Sequence, residues 1–203
     1  MQKFWKFGLI AFVATFIGCD KPPVEQIATA QASVESAQAA EAPEYADQAF
    51  NTAKDSLNAA LSAKEAEDKA WFKNYDAVRK SLANVEVLAK DAVAKSEANK
   101  AALRSEIQSV LSAVEPVLME ARTELAKAPR GKGADADLDQ LNIDLSMVET
   151  AITESRGSLD SGKLKASLES AKTAQSRLEV VQNNVKAAQE KMQAWKQRRG
   201  GRR

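Results

Sequence analysis

YDAVRKSLANVEVLAKDAVAKSEANKAALRSEIQSVLSAVEPVLMEARTELAK, residues 75–127, runs without a glycine and with one proline, Pro116. Apolar side chains recur along it every three or four residues: Tyr75, Val78, Leu82, Val85, Leu88 and Ala92. After a thinner stretch between Lys95 and Ala102 the pattern resumes with Leu103, Ile107, Val110, Val114, Val117, Ala121 and Leu125. That spacing places one apolar stripe on an α-helix. A continuous helix of this length measures about 80 Å at ~1.5 Å per residue. Pro116 lacks a backbone donor and crowds the carbonyl one turn back, so a kink is predicted near it. A helix this long needs partners to cover its stripe, and the rest of the chain supplies them. The predicted fold is all-α, an elongated antiparallel helical bundle of about five helices sharing this one.

The N-terminal partners come first. Val24, Ile27, Gln31, Val34 and Ala37 lie on one face of a helix over 24–42. Pro43 suits the first turn of the next helix, 44–70, whose stripe is Ala46, Ala49, Phe50, Ala53, Leu57, Ala60, Leu61 and Lys64. Trp71-Phe72-Lys73-Asn74-Tyr75 then reads as a tight helix–helix corner plugged by its aromatics, with Asn74 a candidate N-cap. On the other side, residues 128–135 form a loop by composition. Leu138, Leu141, Leu145, Val148, Ile152 and Leu159 follow a heptad in which only Ser155 is missing. Gly157 to Gly162 reads as a turn. Ala171, Ala174, Leu178, Val181, Val185, Ala188, Met192 and Trp195 continue the 3–4 spacing to the end of a last helix. Two such helices joined by a short turn form an antiparallel pair. The resulting domain plan is an N-terminal bundle with the long helix over 24–127, a hairpin over 135–196 and a basic tail over 197–203. Folding back both sets of partners gives two three-helix bundles sharing the long helix.

The first nineteen residues are of another kind. Lys3 and Lys6 precede an apolar run from Phe7 to Ile17, and Gly18 and Cys19 follow it. A basic segment, a short apolar segment and a small residue before the cut make a secretory signal over 1–18. The run is about half of the roughly 20 residues a membrane-spanning helix needs. Cys19 is the only cysteine in the chain. Phe16-Ile17-Gly18-Cys19 resembles the lipobox of bacterial lipoproteins, with Phe16 where leucine is usual. That resemblance implies cleavage between Gly18 and Cys19 and a diacylglyceryl group on the Cys19 sulfur. Residues 19–23 would then be a lipidated tether, with Pro22 and Pro23 stopping the signal helix from running on. Asp20 stands where some Gram-negative lipoproteins carry an inner-membrane retention signal.

Composition narrows the function classes. The chain has 29 basic and 28 acidic residues and no histidine. Without Lys3 and Lys6, and without the five basic residues of Lys196 to Arg203, the body carries 22 basic against 28 acidic residues. Such a body does not attract nucleic acid by general electrostatics. With no histidine and the one cysteine assigned to lipid, the borderline and soft metal ligands are missing, and no metal or other cofactor is expected. Ser-His and Cys-His nucleophiles are absent for the same reason. Arg130-Gly131-Lys132-Gly133 follows no strand and opens no phosphate loop. The carboxylates are scattered on polar helix faces, so no enzyme is expected.

Ala42-Pro43-Glu44-Tyr45-Ala46, then Ala49, Ala53, Leu57, Ala60 and Tyr75-Asp76-Ala77, resemble a family of alanine-rich helical envelope lipoproteins. The resemblance covers Cys19 to about Ala94. It implies a lipid-anchored helical protein facing the periplasm and assigns no activity to particular residues. This chain departs from the family in its second helical pair and in lacking a recognisable peptidoglycan-binding domain.

Two functions from different classes follow. One is a non-catalytic structural or protein-interaction scaffold, held to the membrane through lipid on Cys19, with an unknown protein partner. The heptads at 138–159 and 171–195 can be satisfied within one chain or in a homo-oligomer. The other is a small-molecule or lipid-binding module whose site is the corner of Trp71, Phe72 and Tyr75 or the bundle interior. Lys196, Arg198, Arg199, Arg202 and Arg203 are candidates for contact with an anionic surface, where each basic residue contributes about 1 kcal/mol.

Overall fold

The computed structural model describes residues 20–127 and 135–200. Among the described residues every regular element is helical: α1 (Val24–Ala39), α2 (Ala42–Tyr45), α3 (Asp47–Lys69), α4 (Asp76–Lys127), α5 (Asp135–Asp160) and α6 (Leu164–Gly200). The all-α expectation holds, and α4 is the long helix read from the sequence. The chain separates into two compact units, and the division falls inside α4, between Ser96 and Glu97. This is the stretch where the apolar stripe thins.

In the first unit α1, α2, α3 and the first half of α4 bury one cluster. Ala30, Val34 and Ala37 come from α1, Phe50, Ala53, Leu57 and Ala60 from α3, and Tyr75, Val78, Leu82, Val85, Ala89 and Ala92 from α4. Ala30 takes the inward place given to Gln31 by the sequence reading, because the stripe drifts at 3.6 residues per turn. Two contacts fix the direction of α1 along α4. Asp20 meets Arg79 at one end, and Ser96 Oγ donates to the Ala40 carbonyl at 2.7 Å near the other. The pairs are 59 and 56 residues apart, so α1 runs parallel to α4 and α3 runs back between them.

The helix expected over 44–70 is split in two. Glu41 adopts a left-handed conformation at φ 61°, which ends α1, and Pro43 starts the single turn of α2. A second break at Ala46, φ −147°, separates α2 from α3. Ala42, Tyr45 and Ala46 are buried at this bend.

In the second unit α5 and α6 form the expected hairpin. Gly157 is helical, and the turn is tighter than the sequence suggested. Gly162, at φ 78°, supplies the left-handed residue after α5. Its N–H donates to the Leu159 carbonyl at 3.1 Å, and the Lys163 N–H donates to the Ser158 carbonyl at 2.9 Å. This paired closure satisfies the last carbonyls of the helix, and it favours glycine at the left-handed position. Leu138, Leu141, Leu145, Val148, Ala151 and Ile152 of α5 are buried, as are Leu164, Ala171, Ala174, Leu178 and Val181 of α6.

The second half of α4 completes this core with Ile107, Leu111, Val114, Leu118, Ala121 and Leu125. Leu111 and Leu118 are buried where the sequence reading chose Val110 and Val117, which are half-buried. Ion pairs set the directions: Arg122 with Glu149 at 2.7 Å, Arg156 with Glu115, and Lys172 with Glu106 at 2.7 Å. Partners on α5 descend in number as those on α4 rise, so the two are antiparallel. The helix continues through Pro116, which lies on its exposed side. The carbonyl of Ser112, which loses its usual donor there, is on an exposed residue that water can reach.

A serine interrupts the α5 heptad where it meets a serine of α6. Ser155 Oγ donates to the Ser167 carbonyl at 2.9 Å, and Ser167 Oγ donates to the Ser155 carbonyl at 2.8 Å. Both residues are fully buried. The gap in the heptad at Ser155 is therefore a close approach of α5 and α6.

Candidate functional site

The densest set of charged and polar contacts in the first unit lies where α3 hands over to α4. α3 ends at Lys69, and Ala70 turns to extended backbone at ψ 145°. Residues 71–75 then carry the chain to α4. Only Tyr75 is in phase with the inward positions Val78 and Leu82, and it is fully buried. Trp71 and Phe72 lie on the link itself and are 92% and 72% exposed. Of the three aromatics expected to plug the corner, one does so.

The start of α4 is capped from two sides. Asn74 Oδ1 accepts the Asp76 N–H at 3.0 Å from one residue before the N-cap position, which Tyr75 holds, where the sequence reading had made Asn74 the cap. Asp20 Oδ2 accepts the Tyr75 N–H at 2.8 Å. A carboxylate at this end also meets the positive pole of the helix. The Asn74 N–H in turn donates to Glu67 Oε2 at 3.2 Å.

Arg79, one turn into α4, holds Asp20 with both arms of its guanidinium. Nη2 donates to Asp20 Oδ1 at 2.6 Å and Nη1 to Oδ2 at 2.9 Å. Nη2 also reaches the Lys21 carbonyl at 2.9 Å, and Nη1 reaches Asp76 Oδ1 at 3.1 Å. The fork of arginine matches a carboxylate in this geometry. The Arg79 hydrogen bonds, and then the Tyr75 N–H, hold the Asp20 carboxyl at about 2, below its ordinary 3.8. The guanidinium is pushed up in return, chiefly by Asp20.

Tyr75 links this pair to α3. Its hydroxyl donates to Asp68 Oδ1 at 2.6 Å, and Lys64 reaches the other oxygen of Asp68 at 2.7 Å. Those two bonds, that of Lys64 first, lower the Asp68 carboxyl. The bond to Asp68 and then burial push the Tyr75 hydroxyl up to about 12. The chain Arg79–Asp20–Tyr75–Asp68–Lys64 thus ties three segments together: the residue after Cys19, the end of α3 and the start of α4.

This arrangement holds and orients the segments that it joins. Its acids and bases are engaged with one another, and Trp71 and Phe72 are exposed where Tyr75 is buried. The structure brings Tyr75 into the cluster and leaves Trp71 and Phe72 on its surface. Asp20, Asp68 and Arg79 escaped the sequence reading as members of one site. No periodicity relates residue 20 to residue 79, and Asp20 stood out only for its place after Cys19. Its contacts give that aspartate a structural role.

Gly18, Cys19, Arg202 and Arg203 lie outside the described residues. The backbone of Lys196, Arg198 and Arg199 is within α6, which runs on to Gly200 rather than ending near Trp195. Lysine, glutamine and arginine are good helix formers, and cations suit the C-terminal end of a helix. Among the described residues no helix is long and apolar enough to cross a membrane. No group of three or more metal-ligating side chains is found among the described residues.

In the second unit, Ile143 and Met147 lie one turn apart on the side of α5 away from its buried stripe, each about half exposed. Arg177 of α6 donates to the Met147 sulfur at 3.0 Å. The sequence carried a signal for this strip: two large apolar residues at i and i+4 that do not belong to the heptad.

No family model matches this chain, and no curated protein or solved structure matches it significantly.

Proposed function

We propose that the protein is a lipid-anchored, non-catalytic helical scaffold of the bacterial envelope, facing the periplasm and presenting helical faces to a protein partner. The observation that carries this reading is the run Phe7 to Cys19: a short apolar segment, Gly18 before the cut, and the chain's only cysteine. Two or more acyl chains on one protein hold it stably at a bilayer, where a single chain does so only marginally. The body favours the same reading. Its helices spend their apolar stripes on one another, and the half-exposed Ile143–Met147 strip is a surface that a partner can cover.

The second reading, a small-molecule site at Trp71, Phe72 and Tyr75, loses support from the outward placement of the first two. The test is Cys19→Ser in cells, read by labelled palmitate incorporation and by fractionation. Loss of both label and envelope association supports the proposal. A serine variant that keeps both overturns it. Photo-cross-linking from position 147 in intact cells tests the scaffold half: discrete protein adducts are expected, and their absence there and at position 143 removes the strip as a partner surface.

A further inference from the structure

Residue 20 follows the proposed lipid attachment directly, and its side chain is fastened to the α3–α4 corner by Arg79 and by the Tyr75 N–H. A flexible tether would let the first unit float above a membrane. Here the folded body begins one residue from Cys19, so whatever surface lies at that corner lies at the bilayer.

That surface has the chemistry of an interface. The large apolar side chains exposed in the first unit are Val24, Trp71, Phe72 and Val87. Three of these four sit at this end, Val24 in the first turn of α1 and the aromatic pair on the corner link. Tryptophan and phenylalanine beside lysines suit the boundary between headgroups and acyl chains. Lys21, Lys69 and Lys73 are exposed around them. Four of the nearby acids are engaged: Asp20 and Asp76 share Arg79, Asp68 meets Lys64 and the Tyr75 hydroxyl, and Glu67 accepts the Asn74 N–H, while Glu25 is exposed in the first turn of α1. Exposed aromatics and exposed lysines therefore coincide beside the residue that follows the anchor.

We propose that the Trp71–Phe72 corner docks into the lipid bilayer surface beside the Cys19 anchor, so that the Asp20–Arg79 clasp sets the orientation of the first unit on the membrane. This rests on the lipid-anchor reading above. The corner is then a second, non-covalent foot. It inserts shallowly, as an interfacial element does, and no part of it spans the membrane.

The experiment supplies the anchor chemically. The chain from Cys19 to Arg203, carrying Trp195→Phe so that Trp71 is its one tryptophan, is coupled through the Cys19 thiol to a maleimide-headgroup lipid in phosphatidylcholine vesicles. Docking predicts a blue shift of Trp71 emission on coupling, quenching by brominated acyl chains and a severalfold loss of acrylamide quenching. Asp20→Asn with Arg79→Gln frees the body from its anchor. It should return the emission toward that of the uncoupled chain while circular dichroism shows the helices intact. The uncoupled chain lacking both aromatics, Trp71→Ala with Phe72→Ala, should bind vesicles roughly tenfold or more weakly than the chain that has them. Water-exposed Trp71 emission on the coupled, helical chain overturns the docking. Because that result does not depend on cellular lipidation, it is separate from a failure of palmitate labelling at Cys19, which would overturn the anchor itself.

Discussion

Ser155→Leu separates what a heptad suggests from what the packing demands. By pattern alone, leucine would complete the series Leu138, Leu141, Leu145, Val148, Ile152, Leu159 and stabilise the hairpin. In the structure the position faces Ser167 of α6. The two Oγ atoms are 3.2 Å apart, and each also reaches the opposite backbone carbonyl. A side chain whose Oγ touches the neighbouring helix backbone leaves no room for a branched one. The leucine must push the helices apart or leave its rotamer, at a cost of about 1–3 kcal/mol. The Ser167 hydroxyl also loses a neighbour in a fully buried place. Ser155→Ala is the control. It keeps the close approach and forfeits hydrogen bonding worth about 0.5–1.5 kcal/mol. Thermal and urea unfolding followed by circular dichroism would read both. For a chain of this size each kcal/mol moves Tm by roughly 2–4 °C. The leucine variant should melt below the alanine variant, and both below the wild type. A leucine variant as stable as wild type, or more so, would refute the reading of this contact as a steric limit.

Leu82→Ala and Ile107→Ala, at fully buried positions in the first and second units, should each cost about 2–5 kcal/mol by urea titration. Acid should weaken the corner with a defined sign. The Asp20 carboxyl is lowered from 3.8 to about 2, so its contribution is complete above 3.8 and is lost as pH falls through about 2. Unfolding midpoints measured from pH 5 to 2 should therefore fall less steeply for Asp20→Asn than for the wild type; matching slopes would count against the clasp. Alkali should act on Tyr75, whose hydroxyl is raised from 10.0 to about 12. Its contribution is complete below 10 and is lost as pH rises through 12, so Tyr75→Phe should lose less stability than wild type across that window.

Helices and their buried faces were legible because they repeat. A stripe such as Tyr75, Val78, Leu82, Val85 carries its own period, while the loop expected over 128–135 lies outside the described residues up to Asp135, where α5 begins. Contacts between distant residues have no such signature. Arg79 is one arginine among exposed neighbours, and nothing near it in the chain announces Asp20. Breaks were legible only where a residue forces them: Pro43 announced a start, while the left-handed Glu41 and the turn lost at Ala46 did not. Glycine misled once. Gly157 sits inside α5 because only Gly162 meets the positive φ that the turn requires. At Trp71 and Phe72, hydrophobicity suggested burial, and the phase of α4 admitted Tyr75 alone.

Eight of the fifteen residues buried together in the first unit are alanines. Alanine lets helices approach closely, but each one removes little apolar area from water. Neighbouring registers along such a smooth core differ little in hydrophobic energy. The polar contacts at the two ends of α1 differ a great deal. A slide of α1 by one turn along α4, about 5.4 Å, would separate Asp20 from Arg79 and Ser96 from the Ala40 carbonyl together. The Ser96 hydroxyl would then be left without its bond in a buried position, where an unmade hydrogen bond costs about 1–3 kcal/mol. The two ends thus select the register that the alanines leave open. If Cys19 carries the anchor, the same selection fixes where the anchor leaves the body, which makes the position of the Trp71–Phe72 corner a consequence of helix register.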